Sequence, residues 1–378
     1  MKICFISAPS PDFLGGISLY VKQLAESLKS DKITWIYKGR ENREYNMGGI
    51  KCVEIKVPKA YFINEIIFNK KCLKFLENND FDVINSHAVW GYWMKDYKRR
   101  QKQELIHTYH GSAYHFYKNS INRFSNIKRF LLSPILLYSY LIEKPPWKKA
   151  DEIICVSDHL KKEFESFYGK RKNVSVIRTG VELKDFKPRE KGVAMKRLGL
   201  SQENFYGLYV GRGGYWTKGL DKIINLSEEI YSLDKNYRLL VIGSDLKKVS
   251  HLIKKDFIKF IPLVERDQMP YYYNSAELFF SMSRKEGGAP SMVTSEALAS
   301  GCLVITDKEA NQEVIFDEEN GLLIKTDYLS EAKRILRILR NRAKLKGILG
   351  QASKTSKKLS VQSWRKSYKE ILKRGLKK

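Results

Sequence analysis

Four places in this chain of 378 residues combine residue types and spacings that can do chemistry. Arg212 follows the apolar run Tyr206–Val210, and Lys218-Gly219 comes six residues later. Two cations in a loop leading from a strand into a helix can hold a diphosphate, because the free N–H groups of the helix add to their field. A solvated Arg/Lys pair is the alternative, and among 69 basic residues one pair says little by itself. Glu286 and Glu296 flank Gly287-Gly288-Ala289-Pro290-Ser291, with Glu286 just past the run Glu277–Met282 and Glu296 in the first turns of a helix. An ionised carboxylate accepts several hydrogen bonds and so can hold sugar hydroxyls. For Glu296 the alternative is an acid that complements the helix dipole. Gly15-Gly16 stand where the first strand leads into the first helix. Glycine there lets a ligand reach the backbone and the helix N–H groups face a phosphate, although the pair can equally be a turn. His110-Gly111 end the run Leu105–Tyr109, and His87 stands similarly after Phe81–Ser86. A histidine at a strand's carboxyl end can touch substrate, while an isolated one is more often structural. The chain has neither a GxGxxG nor a GxxxxGK[ST] sequence, so dinucleotide and P-loop binding lose support.

These residues need elements to position them. The runs Lys2–Ser7, Ile33–Tyr37, Ile50–Ile55, Phe81–Ser86, Glu104–Tyr109, Asp151–Val156 and Val174–Arg178 read as strands. A second series follows, at Tyr206–Val210, Tyr237–Ile242, Phe257–Ile261, Glu277–Met282, Cys302–Thr306 and Leu322–Ile324. Helical patterns lie between them, such as Ile17, Tyr20, Val21, Leu24 and Leu28 on one face. Alternation of this kind predicts α/β architecture with parallel, doubly wound sheets covered by helices on both faces. The series runs twice, with a polar joint near Glu182–Lys196 that contains Pro188 and Gly192. The expected domains are 1–187 and 188–358, followed by a helix over 359–378 with Val361, Trp364, Tyr368, Ile371 and Leu372 on one face. Ligands in such sheets bind at the carboxyl ends of the strands.

The formal net charge is +27, which calls for an anionic partner: nucleic acid, anionic lipid or a phosphorylated substrate. The excess is uneven, at +13 over residues 1–190, −1 over 191–330 and +15 over 331–378. No helix-turn-helix, zinc or RNA-binding signature supports a nucleic-acid-binding protein. Residues 114–149 are aromatic and basic around the apolar run Phe130–Ile142. Such a segment can lie at an anionic membrane surface or be a buried helix with one solvated face. That run has 13 residues with Pro134 inside, too short to span a bilayer. The start, Met1-Lys2-Ile3-Cys4-Phe5, reads as a strand and lacks the parts of a signal peptide. Cys4, Cys52, Cys72, Cys155 and Cys302 are scattered and odd in number. The expectation is a cytoplasmic protein with reduced thiols, peripheral on the inner face of the cell membrane if its basic surfaces meet lipid.

Together the motifs resemble the family-4 glycosyltransferases of the GT-B fold. They are Gly15-Gly16-x4-Val21-x2-Leu24-Ala25, Cys155-Val156-Ser157 and Val176-Ile177-Arg178-Thr179-Gly180-Val181-x4-Phe186-x-Pro188. Val210-Gly211-Arg212-x5-Lys218-Gly219, Ser283-x2-Glu286-Gly287, Glu296-Ala297-Leu298-Ala299-Ser300-Gly301, Glu313 and Asn320-Gly321 continue the match. The resemblance implies two Rossmann-like domains facing across a cleft, with the last helix crossing back to the N-terminal one. It implies a retaining hexosyltransferase that moves a sugar from a nucleotide-sugar donor to a glycan or lipid-phosphate-linked acceptor, in polysaccharide, glycolipid or glycoprotein glycan assembly. By position, Arg212 and Lys218 would hold the diphosphate and Glu296 the ribose hydroxyls. Glu286 or the backbone amides of Gly287 and Gly288 would hold the sugar. The Gly15-Gly16 backbone would approach the phosphates, and His110 the sugar and acceptor. No cofactor or metal is implied, and no DxD-type cluster is placed to bind one. The family usually has seven residues between its two glutamates, whereas nine separate Glu286 from Glu296. Aligned from the right, Gly288 takes the first position. A GT-B sugar-nucleotide epimerase and a basic nucleic-acid-binding protein are the rival readings.

Overall fold

The computed structural model describes residues 1–13, 15–28, 31–59, 63–100, 102–122, 124–211, 215–243, 255–284, 290–308, 310 and 313–375. The chain divides into two compact units, Met1–Arg178 with Arg365–Lys378, and Thr179–Trp364. The sequence reading puts the joint between 187 and 188 instead.

The first unit contains β1 (Lys2–Ile6), α1 (Gly16–Ser27), β2 (Lys32–Gly39), β3 (Arg43–Met47), β4 (Ile50–Lys56), α2 (Ile63–Glu77) and β5 (Val83–His87). A 3-10 turn (Tyr92–Lys95), β6 (Glu104–Tyr109), α3 (Ala113–Ile121), α4 (Asn126–Leu132), α5 (Pro134–Lys149), β7 (Glu152–Cys155), α6 (Asp158–Tyr168) and β8 (Val174–Val176) follow. The strands lie in the order β3-β4-β2-β1-β5-β6-β7-β8. Central strands are buried on both faces, as in Ile3–Ile6, and so read as unbroken apolar runs. The expectation of a wholly parallel sheet is corrected at one edge, where β3 runs antiparallel to β4. Gly48 and Gly49 make that turn at positive φ, +57° and +88°. The strand Arg-Glu-Tyr-Asn-Met carries no apolar run, because an edge strand with one wet face does not need one.

The second unit contains α7 (Lys191–Arg197), β9 (Phe205–Val210), α8 (Leu220–Leu233), β10 (Tyr237–Ile242), β11 (Ile258–Ile261), α9 (Met269–Ser275) and β12 (Leu278–Ser281). After these come α10 (Met292–Ser300), β13 (Leu303–Thr306), β14 (Leu322–Leu323), α11 (Tyr328–Arg340), α12 (Arg342–Lys358) and α13 (Val361–Gly375). Its strands run parallel in the order β11-β10-β9-β12-β13-β14. Side chains alternate between faces at period 2, so one sheet builds two cores. Leu239 and Val241 pack with Ile223, Leu226 and Ile230 of α8 and Ile335 of α11. Leu240 and Ile242 pack on the other face with Ala297 and Leu298 of α10 and Ala352 of α12. The boundary between the units falls inside α13, whose buried Tyr368, Ile371 and Leu372 lie in the part counted with the first unit.

Each sheet reverses its strand order once. In the first unit the chain leaves β1 for β2 and returns to β5; in the second it leaves β9 for β10 and returns to β12. Loops at the carboxyl ends of two such neighbours turn in opposite directions and leave a crevice.

Candidate functional site

At the reversal in the second unit, Lys218 lies in the loop between β9 and α8. It is half-buried, and desolvation pushes its ammonium down to about 8. An incoming anion would reverse that shift. The loop is held by Arg284, which follows β12. Its backbone N–H donates to the Thr217 carbonyl at 2.9 Å, and its guanidinium lies 3.6 Å over the Trp216 ring. The same guanidinium forks onto the Asp221 carboxylate at 2.8 and 2.7 Å. A bidentate, partly buried pair of this kind fixes geometry as well as charge. Gly219 caps α8 at φ +68°, and a Cβ there would stand 2.0 Å from the Met282 carbonyl oxygen. Only glycine allows the β9 loop to rest on the chain leaving β12. Arg212, Glu286, Gly287 and Gly288 lie outside the described residues.

Glu296 sits in α10, whose Thr294 hydroxyl donates to Ser281 Oγ at the carboxyl end of β12 at 2.9 Å. Its carboxylate is buried, with Oε2 accepting from the Tyr273 hydroxyl at 2.8 Å. Oε1 pairs with Arg266 Nη1 at 2.5 Å but takes no well-aligned hydrogen bond among the described residues. Burial and the neighbouring carboxylate push the Tyr273 phenol well above its usual range, so it stays a donor. Glu296 is therefore not a surface acid serving the helix dipole. It is a fixed buried carboxylate, and a carboxylate offers about four acceptor sites.

At the reversal in the first unit, Gly15 caps α1 in extended geometry, and a Cβ on it would strike the Phe13 ring. Gly16 is exposed, and a Cβ there would meet nothing within 4 Å. The chain's own packing thus gives no reason for glycine at 16. His110, past β6, and His87, ending β5, are one unit, with Nε2 of His110 and Nδ1 of His87 hydrogen-bonded at 3.0 Å. The rings stack at 5.3 Å, and Tyr20 of α1 meets His110 edge-on at 4.7 Å. Burial pushes His110 down to about 3 and His87 well below 6.5. His110 is therefore neutral at pH 7 and offers an uncharged imidazole, not a proton source.

Sequence reasoning assigned no role to Arg266, Arg284, His107 or Glu143. His107, on β6, is hydrogen-bonded through Nδ1 to Ser86 Oγ at 2.7 Å, and burial holds it at about 3. Glu143 of α5 accepts from the Ala113 N–H at 2.7 Å and pins the start of α3, three residues past His110. Burial pushes its carboxyl up to about 8. Glu143 is the one acid between Ser112 and Lys149, and that isolation was the available signal.

The buried histidines predict a pH response. A histidine near 3 when folded and about 6.5 when unfolded supports the fold above pH 6.5, and the support is lost as pH falls toward 3. Glu143, near 8 when folded, gains stability as pH falls and opposes this, so the histidine effect is read as a difference between two chains. In denaturant melts the parent should lose about 2 kcal/mol more than His107→Gln between pH 7 and pH 5; equal losses in the two chains would refute it.

The model of Glycosyltransferase Family 4 matches residues 14–185, and that of Glycosyl transferases group 1 matches residues 191–356. An uncharacterized glycosyltransferase of Methanocaldococcus jannaschii is 27% identical over 98% of this chain and 99% of its own. Sucrose-phosphate synthase from Thermosynechococcus elongatus superposes with a TM-score of 0.81 over 98% of each chain at 19% identity. HepE of Anabaena, solved with UDP and glucose, gives 0.70 over 99% of each at 17%. The two family models take up the two halves of the chain, and the paired doubly wound sheets have the fold of these structures. The chain belongs to the family-4 glycosyltransferases of the GT-B fold.

Proposed function

We propose that this glycosyltransferase is a retaining enzyme that moves a hexose from a nucleotide-sugar donor to a glycan or lipid-phosphate-linked acceptor, with no metal. The observation that carries the reading is the desolvated Lys218 ammonium in a loop braced by Arg284 and Gly219, at the sheet end where α10 and its oriented Glu296 begin. HepE, of the same fold, holds UDP and glucose, which supports a nucleoside-diphosphate sugar as donor.

As the anomeric C–O bond breaks, negative charge grows on the leaving diphosphate. Lys218, with Arg212, stabilises it there more than in the ground state. Glu296 accepts from the ribose hydroxyls. Glu286 or the amides of Gly287 and Gly288 hold the sugar, and the exposed Gly16 backbone meets the phosphates. The acceptor hydroxyl attacks the face the diphosphate leaves and passes its proton to the departing phosphate oxygen. Neutral His110 lies by the sugar and orients the acceptor by hydrogen bonding.

The test incubates the chain with a panel of nucleotide-sugars and measures melting temperature, then nucleoside diphosphate release with and without glycan acceptors. A donor that binds the folded state raises the melting temperature. Release that needs an acceptor supports transfer; interconversion of the donor sugar with no release would assign an epimerase and overturn the reading. Glu296→Gln keeps the shape but drops the charge, and donor affinity should fall about 10- to 100-fold. Unchanged affinity would remove Glu296 from the ribose.

A further inference from the structure

Helix α4 is inverted relative to an ordinary surface helix. None of its residues is buried, yet Ile127, Phe130 and Leu131 share one face at i, i+3 and i+4 and are 78%, 77% and 69% exposed. Every residue from Ser125 to Pro134 faces solvent. On α5, Leu137 and Leu141 continue the outward apolar row, while Ile142, Glu143 and Trp147 turn inward. The charge around the row has one sign. From Ser112 to Lys149 the chain has seven basic residues, and its single acid, Glu143, is buried against the Ala113 N–H. Lys128 Nζ lies 4.3 Å over the Phe124 ring and Lys118 Nζ 5.8 Å over the Tyr114 ring. The ammonium ends of both lysines rest against ring faces, and their flexible stems let them turn to polar headgroups.

We propose that α4 and the outer face of α5 insert into the surface of an anionic lipid bilayer. The partner must take aliphatic side chains and neutralise cations for which residues 112–149 supply no acid but the buried Glu143, and a bilayer with anionic headgroups does both. Charge complementarity separates it from the other occupants. A second copy seated on the same face would set Lys128 and Arg129 against cations of its own kind. A nucleic acid would have no use for Ile127, Leu131, Leu137 and Leu141. The same α5 that presents Leu137 and Leu141 pins Ala113 through Glu143, three residues from His110. Docking here would bring a lipid-linked acceptor to the surface that carries that loop. This last step rests on the proposed function; the membrane contact does not.

The test is sedimentation of the full chain with phosphatidylcholine vesicles with and without about 30% phosphatidylglycerol. The chain should pellet with the anionic vesicles and at least about tenfold less with phosphatidylcholine alone or in about 1 M salt. The triple change Ile127→Ser, Phe130→Ser, Leu131→Ser and the double change Lys128→Glu, Arg129→Glu should each lose about tenfold or more in vesicle affinity. Because all five side chains are exposed, melting temperature and donor-induced stabilisation should stay at the parent values. Binding of the triple variant equal to that of the parent would overturn the proposal. So would failure of the parent chain to pellet with anionic vesicles, or a lipid-free dimer that the triple change abolishes. Vesicle binding needs no turnover, so loss of the donor response would count against the enzymatic reading alone.

Discussion

Lys218→Ala should lower kcat/KM for the nucleotide-sugar by about 100- to 1000-fold, the usual cost of removing one group aimed at charge that forms in the transition state. The fold should not suffer. Lys218 holds its charge in a place that pushes the ammonium down to about 8, so the unliganded protein is poorer with it than a solvated lysine would be. Melting temperature should stay level or rise while turnover falls, a trade of stability for function. The sign of the pH effect follows. Only the ammonium form attracts the diphosphate, and its population falls as pH passes about 8. Donor affinity should then weaken by up to about tenfold per pH unit, until the pKa of the bound state is reached. Lys218→Arg retains charge at pH 9.5, so its affinity should change little between pH 7 and 9.5. Turnover of Lys218→Ala within threefold of the parent would remove Lys218 from the diphosphate.

How legible all this was depends on the range of the interaction involved. Leu239–Ile242 announces a central strand because burial on both faces leaves no place for polar residues, and burial is a local demand. Arg43–Met47 makes a strand only because β4 is there to pair with, so nothing in its own residues marks it. The site divides in the same way. Lys218 and Glu296 stand out by type and spacing beside glycines. Arg284 is invisible as a brace until the sheet brings it to Asp221, 63 positions earlier in the chain. Arg266 and Tyr273 meet Glu296 only after α9 and α10 pack beside β12. His107 sits in an apolar run and becomes notable once Ser86 on the neighbouring strand is seen to meet it. Sequence showed groups that act and concealed groups that hold them.

The bracing itself can be broken by one methyl group. Gly219→Ala places a Cβ 2.0 Å from the Met282 carbonyl oxygen, at a φ of +68° that side chains rarely adopt. Neither problem can be relieved by rotating a flexible side chain, because the obstacle is backbone at the end of a buried strand. Left-handed strain and forced displacement together should cost roughly 3 kcal/mol or more. A matched control is at hand in the same unit. Gly347 lies inside α12 with nothing within 4 Å of its Cβ position, so Gly347→Ala should gain roughly 0.5–1 kcal/mol. Opposite shifts of the two variants in denaturant melts would separate a conformational demand from a general effect of adding a methyl. If Gly219→Ala still folds, the β9 loop must have lifted from Met282, carrying Lys218 with it. Donor-induced stabilisation should then vanish even where the melt remains cooperative. Parent-like stability together with a parent-like donor response would show that the β9 loop does not need this contact. The brace that Arg284 and Gly219 build around Lys218 would then be incidental to its position.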